Sequence, residues 1–452
     1  MNPLLLQWII LIAFGLAFFF LAPMAKSVSA FFSAADATRK QPGIFLLTSS
    51  LVISWIFAKS ITNAANLGLQ FGIVGGVSYA VYYLSFIVAG IVIYQLRVKG
   101  GFNSIHKFLL TRFGRKAVIV FSILVAFRLF NEVWSNTMVI GSYFGEAGSG
   151  GYYAAILVFT GLTLAYTLKG GLRSSLLTDA IQMVFFGILL VILLGFILQK
   201  RSVGLSDYLS EGSWTMSTGL NLFFAALLQV FSYPFHDSVM TDRGFISDPK
   251  TTLRSFFYAA AIGVICLIAF SFVGIFARME GLTGQAAVEV SKMLGVAAML
   301  AMNFIMITSA ASTLDSTFSS FSKLIVVDLG KQKPSVKKGR LVMLAITLAG
   351  TIPVFLNPEI LSATTVSGTM VMGLAPVFLL WNSNAPALSF HLSVGAGIAI
   401  GVLLATGMMP KALIFFEGKY GDLLSANLWG IVLCFVLFLI PILMQNGKRQ
   451  ND

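Results

Sequence analysis

Charged residues, cysteines and histidines are scarce in this chain of 452 residues. Asp, Glu, Lys and Arg make up 10% of it, whereas 57% is hydrophobic. So few polar groups cannot cover the surface of a water-soluble globule of this size. The two cysteines, Cys266 and Cys434, lie in separate apolar runs and are expected to be buried thiols. No two of the three histidines have metal-ligand spacing, so neither a disulfide framework nor a zinc site is expected.

Long apolar runs dominate the remaining sequence. A membrane-crossing helix needs about 17–25 residues, and about thirteen such spans can be placed. They are 4–24, 43–68, 74–97, 116–144, 151–170, 174–198, 218–239, 254–279, 294–328, 340–357, 362–382, 388–409 and 423–444. The first lacks the basic start and the Ala-x-Ala exit of a signal peptide and is predicted to be retained. We therefore predict an all-α polytopic membrane protein, with 1–452 forming a single transmembrane domain.

Basic residues are concentrated in alternate loops, although the formal net charge is +13. One side of the predicted topology carries Arg97, Lys99, Lys107, Arg112, Arg115, Lys116, Arg243, Lys250, Arg254, Lys331, Lys333, Lys337, Lys338 and Arg340. The few basic residues of the other side lie mostly beside acids. The positive-inside rule then predicts an outside N-terminus and a cytoplasmic C-terminus in a plasma (inner) membrane. Because topology explains the positive charge, no nucleic-acid partner is expected, whereas the lipid bilayer is one.

The segment 166–182 carries the most informative motif. It reads YTLKGGLRSSLLTDAIQ: one span ends, a basic loop turns on Gly170-Gly171, and the next span opens with Thr178-Asp179 and Gln182. An aspartate in a membrane helix is costly unless a cation or a partner uses it. The segment resembles the signature of the sodium:solute symporter family, which includes sodium/proline, sodium/galactose, sialic-acid and urea symporters.

That resemblance implies a fold and an activity. The fold is the LeuT-like inverted repeat of five plus five helices with discontinuous members: spans two to eleven, 43–382, form the core. The span 4–24 precedes this core, and the C-terminal helices 388–409 and 423–444 follow it. The activity is sodium-coupled symport of a small polar solute by alternating access, with Na⁺ as the coupling ion.

Hydroxyl side chains line one face of the ninth span. Ser309, Ser312, Ser316 and Ser320 recur every three or four residues and so lie on the same side of a helix. A hard cation such as sodium needs several oxygen ligands at short range, which hydroxyls and freed carbonyls can supply. Alternatively, small hydroxyl residues simply let helices pack closely.

The family resemblance assigns roles to these residues. It implies that the hydroxyls of Ser312 and Thr313 and the carbonyl of Ser309 bind sodium. The carbonyls of Ser50 and Ile53, in a broken second span, would complete the site.

Two aspartates lie near these residues in the prediction. Asp179 matches the family's aspartate on the sodium path, as an ion relay or a further sodium ligand. Its structural alternative is a helix N-terminal residue neutralised by Lys169 or Arg173. Asp315 could strengthen the cation path, or it could pair with Lys323.

Besides these aspartates, three unusual charged residues remain inside predicted spans, which makes them candidates for a solute site. Arg128 and Glu132 are spaced for an i,i+4 ion pair, whereas Lys59 has no acid within its own helix. If all three face a cavity, one net positive charge remains, which would suit a carboxylate or a zwitterion.

Further solute contacts are predicted in spans two and seven. Phe57 lies in a run, 54–60, that looks most like the urea-transporting branch, although Lys59 departs from that branch. Gln229 and Tyr233 can offer hydrogen bonds, and Pro234 is expected to kink the seventh span.

Two alternatives remain open. The chain could be a solute-sensing receptor domain, or it could couple transport to protons through Asp179, Asp315 or Lys59. A membrane enzyme is not expected, because no nucleophile and base or metal ligands converge. The oligomeric state is not predicted.

Overall fold

Helices occupy almost all of the computed structural model, which describes residues 2–33, 41–200 and 204–451, and no strand occurs within those ranges. Thirteen helices or helix pairs overlap the predicted spans, and the short helices Val28–Ser33, Leu205–Ser210 and Ala286–Met293 lie between them. The thirteen are α1 (Pro3–Leu21), α2a (Ile44–Trp55) with α2b (Ala58–Phe71), α3 (Ile73–Val98), α4 (Ile105–Gly141), α5 (Gly150–Gly170), α6 (Leu172–Lys200), α7a (Leu220–Gln229) with α7b (Ser238–Arg243), α8 (Pro249–Met279), α9 (Val296–Lys323), α10 (Val336–Thr351), α11a (Ser362–Met370) with α11b (Leu374–Leu379), α12 (Ala387–Ala405) and α13 (Gly421–Asn451).

Ten helices in the described ranges are long and apolar enough to cross a membrane, and the bent pair α2a and α2b makes an eleventh. The two remaining spans, α7 and α11, consist of shorter helical pieces. The chain is therefore an integral membrane protein. Within it, α3 is mostly buried, whereas α1 and α6 each bury only 28% of their most apolar window and present the rest to lipid.

Helix α2 is interrupted in its middle. The residues Ile56 and Phe57 leave the helical conformation, with ψ angles of 70° and 147°, and the two halves meet at a bend of 59°. Neither residue type strongly favours a helix. In hydrocarbon, the backbone groups freed by such a break must be satisfied by protein. The Tyr83 hydroxyl donates to the Trp55 carbonyl at 2.6 Å, and the Ser309 hydroxyl donates to the Ile56 carbonyl.

Helix α7 is interrupted as well. A short 3₁₀ turn, Tyr233–His236, joins its halves and contains Pro234, as predicted. The second half, α7b, begins at Asp237, whose side chain accepts a hydrogen bond from the Met240 amide at 3.0 Å. This break positions the acidic and basic ends of α7b, Asp237 and Arg243, inside the bundle.

Close packing of α2b against α8 holds the first broken helix in place. A Cβ atom at Gly274 would lie 1.7 Å from the Ala65 carbonyl oxygen, and one at Gly68 would lie 2.3 Å from the Ser271 carbonyl oxygen. Only glycine permits such an approach of two backbones.

Candidate functional site

The two segments predicted to bind sodium are in contact. The hydroxyl of Ser54, near the end of α2a, lies 3.3 Å from the Ser312 hydroxyl and 3.1 Å from the Ser316 hydroxyl on α9. All of these side chains are buried. The structure therefore brings the broken second span and the hydroxyl face of the ninth together in the interior.

The predicted sodium ligands at this junction make internal contacts. The Thr313 hydroxyl donates to the Ser309 carbonyl at 2.9 Å, so two of them are bonded to each other within α9. Both Ser50 and Ile53 are fully buried on α2a. The prediction used only the Ser50 carbonyl, but the Ser50 side chain also belongs to this junction, because its hydroxyl donates to Asp179 at 2.5 Å.

Asp179 joins the same cluster from α6. Its two carboxylate oxygens accept hydrogen bonds from Ser312 at 2.5 Å and from Ser50 and Ser54 at 2.5 and 3.2 Å. The predicted proximity of Asp179 to the ion-binding residues is thus present in the geometry. Its predicted structural partner Lys169 instead donates to the Phe19 carbonyl.

Arg243 is a residue that the sequence reasoning placed wrongly, among the basic residues of a cytoplasmic loop. It is fully buried, and its Nη2 atom lies 3.0 Å from Asp179 Oδ2. It also donates to Ser50 at 2.6 Å and to Ser316 at 2.8 Å. A guanidinium group therefore lies among the residues predicted to bind sodium. The sequence signal that could have placed Arg243 here is its position a few residues beyond the helix-breaking Pro234.

Asp315 lies beside this cluster, and within the described ranges no ion pair joins it to a cationic side chain. It accepts hydrogen bonds from Ser175 at 2.8 Å, Tyr166 at 2.9 Å and Thr178 at 3.1 Å. The predicted alternative partner Lys323 pairs with Asp242 and Asp328 instead, at 2.5 and 3.4 Å. That alternative is wrong, because Lys323 lies two turns further along α9, towards its end.

The intramembrane charges form a second buried cluster. Lys59 Nζ lies 2.7 Å from Glu132 Oε1, and Arg128 makes the predicted i,i+4 ion pair with the same oxygen. Arg128 Nη2 also lies 3.1 Å from Asp237 Oδ2. The Trp55 indole donates to Asp237 at 2.8 Å.

These contacts overturn the predicted net positive charge. Asp237 joins Lys59, Arg128 and Glu132, so two positive and two negative charges cancel. The sequence reasoning omitted Asp237 because it lies 109 residues from Arg128, beyond a broken helix. Within the described ranges, this cluster therefore carries no excess positive charge.

An aromatic cavity of about 10 Å³ lies beside this charged cluster, with room for about one water. No charged side chain lines it. Its walls are Trp55, Phe57, Ser60, Tyr79, Tyr82, Tyr83, Tyr233 and Thr364. Phe57 and Tyr233 separate it from Arg128, whose guanidinium lies 5.1 Å from each ring centre. Gln229, predicted to contact solute, is engaged by protein: Tyr82 donates to it at 2.9 Å, and it donates to the Thr365 carbonyl at 3.2 Å.

A vestibule of about 670 Å³ lies on the side of the molecule predicted to be extracellular. Its lining includes Asn63 of α2b, Gln70, and Tyr420 at the start of α13. Asn63 also donates to the Tyr79 hydroxyl at 3.2 Å, so these two side chains stand between the vestibule and the aromatic cavity.

Two helices broken at their centres, meeting around buried polar groups, define a membrane protein with a transporter architecture. Solved structures with this fold include a Na⁺-coupled sialic acid symporter in a substrate-bound outward-open state. The two chains share a TM-score of 0.70 and 17% identity, over 98% of this chain and 96% of the symporter. The nucleobase-cation-symport-1 family transporter Mhp1 gives a TM-score of 0.57 and 13% identity, over 95% of both chains. MhsT in complex with L-phenylalanine gives a TM-score of 0.57 and 14% identity, over 88% of this chain and 97% of MhsT.

Sequence comparison adds a weaker likeness. Solute carrier family 5 member 4B of Mus musculus is 27% identical over 176 residues, which is 36% of this chain and 27% of that protein. The chain thus matches about a quarter of its relative's length. No family model matches the sequence. The resemblance to sodium:solute symporters and the LeuT-like fold predicted from sequence are confirmed, and these relatives and neighbours are transporters rather than enzymes.

Proposed function

We propose that this protein is a secondary active transporter that moves a small polar organic solute across a cell membrane by alternating access. The observation that carries the proposal is the meeting of broken helices α2 and α7 with α9 around buried polar groups beneath a vestibule. Unwound backbone at mid-membrane is tolerated where it lines a substrate or ion path, which is how this class of fold binds its ligands.

The arrangement of openings supports an outward-facing state. The vestibule lies on the predicted extracellular side, whereas ionic contacts tie α7b to its neighbours on the opposite side. Asp242 pairs with Lys323 at 2.5 Å and accepts from Ser320 at 3.1 Å, while Arg243 pairs with Asp179. Inward opening would require these contacts on α7b to separate.

Sodium is the coupling ion that we propose, with the hydroxyls of Ser312 and Thr313 and the carbonyls of Ser50, Ile53 and Ser309 as ligands. The contact between α2a and α9 supports this assignment. Asp179 lies close enough to act on the ion through Ser312. Each positive charge that moves inward down a membrane potential releases about 2.3 kcal/mol per 100 mV, which would drive solute uptake.

The solute that we propose is small and has no net charge. Charged side chains are absent from the cavity lining, and the four charges of Lys59, Arg128, Glu132 and Asp237 cancel behind Phe57 and Tyr233. A carboxylate without an amine would enter this region with its charge uncompensated. A neutral amide such as urea, or a compact zwitterion, matches the site better. In this arrangement Lys59, Arg128 and Glu132 act by fixing Phe57 and Tyr233.

A solute screen with purified protein tests this proposal. Melting temperature is measured against urea, amides, amino acids and carboxylic acids, with sodium chloride or choline chloride, and solutes that stabilise are then tested for uptake into proteoliposomes. We expect a neutral or zwitterionic solute to stabilise the protein and to accumulate along a sodium gradient. Stabilisation by carboxylic acids alone would contradict the proposed solute class, and absence of uptake for every stabilising solute would contradict transport.

A further inference from the structure

The two carboxylates buried near the proposed ion site differ in the groups that compensate their negative charges. Asp179 faces the guanidinium of Arg243 at 3.0 Å. Asp315 is fully buried, yet its hydrogen-bond donors in the described ranges are the uncharged hydroxyls of Tyr166, Ser175, Thr178 and Ser316. In the part of the chain that the structure describes, no Lys, Arg or His lies within ion-pair distance of Asp315.

The charges of this region therefore sum to minus one. Asp179 and Arg243 cancel, and Asp315 remains. Tyr166 from α5, Asp179 from α6 and Arg243 from α7b are the titratable or charged groups that face Asp315, while α2a contributes the serines 50 and 54. A bare carboxylate inside a membrane protein is costly, and neutral donors compensate it only in part. One monovalent cation would balance the region.

A separate observation points to a ligand at the same place. Ser175, Thr178 and Gln182 are spaced by three and four residues and lie on one face of α6. Gln182 is fully buried, and in the described ranges neither its amide oxygen nor its amide nitrogen makes a hydrogen bond of normal geometry; the Tyr166 hydroxyl lies beside the amide. A buried amide without partners is rare, and its oxygen is a further ligand for a cation.

We propose that Asp315 supplies the negative charge for the coupling sodium ion, and that oxygens of Ser175, Thr178, Tyr166 and Gln182 extend the set of ligands proposed above. Asp179 then forms a fixed neutral pair with Arg243. Asp315 lies one helical turn from Ser312 on α9, so it adjoins the proposed sodium ligands. This assignment rests on the proposed function in one respect: the bound cation is taken to be the one that drives transport.

Cation binding to purified protein, without any solute, tests the assignment. The melting temperature is measured with sodium chloride against choline chloride at constant ionic strength and constant pH. A cation that binds only the folded protein raises its melting temperature. We expect wild type to gain stability with sodium, and Asp315→Asn to lose that response. Asp207→Asn, which changes an exposed loop carboxylate, should keep it.

The charge sum gives a second variant with the opposite expectation. Arg243→Gln leaves two buried carboxylates without a cation, so its response to sodium should exceed that of wild type. A response that persists in Asp315→Asn would overturn the proposal, as would a wild type that does not respond to sodium. If Asp315→Asn does not fold, an Arg243→Gln response equal to or below that of wild type overturns it. Solute uptake is measured separately, so cation binding without uptake refutes transport alone.

Discussion

At the scale of single residues, buried charges form ion pairs with partners that are distant in sequence. Lys59 contacts Glu132 across 73 residues, and Arg243 contacts Asp179 across 64. Removing one member of such a buried pair leaves the other charge unpaired in the interior, which is far more costly than breaking an exposed pair. The contribution of each charge to folding therefore depends on its burial.

Replacing Lys59 by Met tests this dependence. We expect Lys59→Met to lower the free energy of unfolding by about 3 kcal/mol, because Glu132 would lose one of its two cations in a buried site. Lys292→Met is the matched control: its pair with Glu289 is exposed, and its loss should cost less than about 1 kcal/mol. Unfolding in graded denaturant measures both, and equal effects of the two substitutions would contradict the buried-charge account.

The sequence revealed part of these clusters. Intramembrane charges marked Lys59, Arg128 and Glu132 as candidates, and hydroxyl periodicity marked the face of α9 that meets α2a. Asp237 and Arg243 were missed as members, because both lie close to a predicted helix end where polar residues usually meet water. Their burial follows from the break in α7, which turns α7b into the bundle.

At the scale of helices, close backbone approach between α2b and α8 supports the break in α2. Glycine usually weakens a helix relative to alanine. At Gly274, however, a Cβ atom would collide with the Ala65 carbonyl and with the Leu69 amide, both of α2b. At Gly274, packing against α2b therefore matters more for stability than helix propensity does.

Two glycine substitutions separate packing from propensity. Gly274→Ala should lower the melting temperature, because the added methyl group forces α2b and α8 apart. Gly187→Ala, in α6, meets nothing within 4 Å and should leave stability unchanged or raise it by about 1 kcal/mol. Thermal unfolding in detergent compares them. Destabilisation of both variants to the same extent would show that the contact with α2b is not the cause.

At the scale of the whole molecule, opening one side while closing the other requires contacts that hold only one state. The pair between Asp242 of α7b and Lys323 of α9 is partly buried on the predicted cytoplasmic side. The vestibule lies on the other side. We therefore regard this pair as a latch of the outward-facing state.

Breaking the latch should expose the inner path. In a protein with Cys266 and Cys434 replaced by alanine, a cysteine introduced at Ser320 reports on access from the cytoplasmic side. Asp242→Asn should raise the labelling rate of this cysteine roughly tenfold. A tenfold change corresponds to a free energy of about 1.4 kcal/mol, which lies between the contributions of exposed and of buried ion pairs. Glu289→Gln, which breaks an exposed pair elsewhere, should leave the rate unchanged. If Asp242→Asn does not accelerate labelling, the pair between Asp242 and Lys323 does not act as a latch.

The sequence by itself determined the membrane class, the position of each helix and the resemblance to sodium:solute symporters. Hydrophobicity and helix period are properties of consecutive residues and need no tertiary information. Only the tertiary structure decided which charges cancel. Pairing across the bundle depends on where two helices break, and a bend of 59° after Trp55 or a turn at Pro234 redirects every side chain that follows. The proposed neutral solute site and the proposed cation site at Asp315 both depend on that geometry.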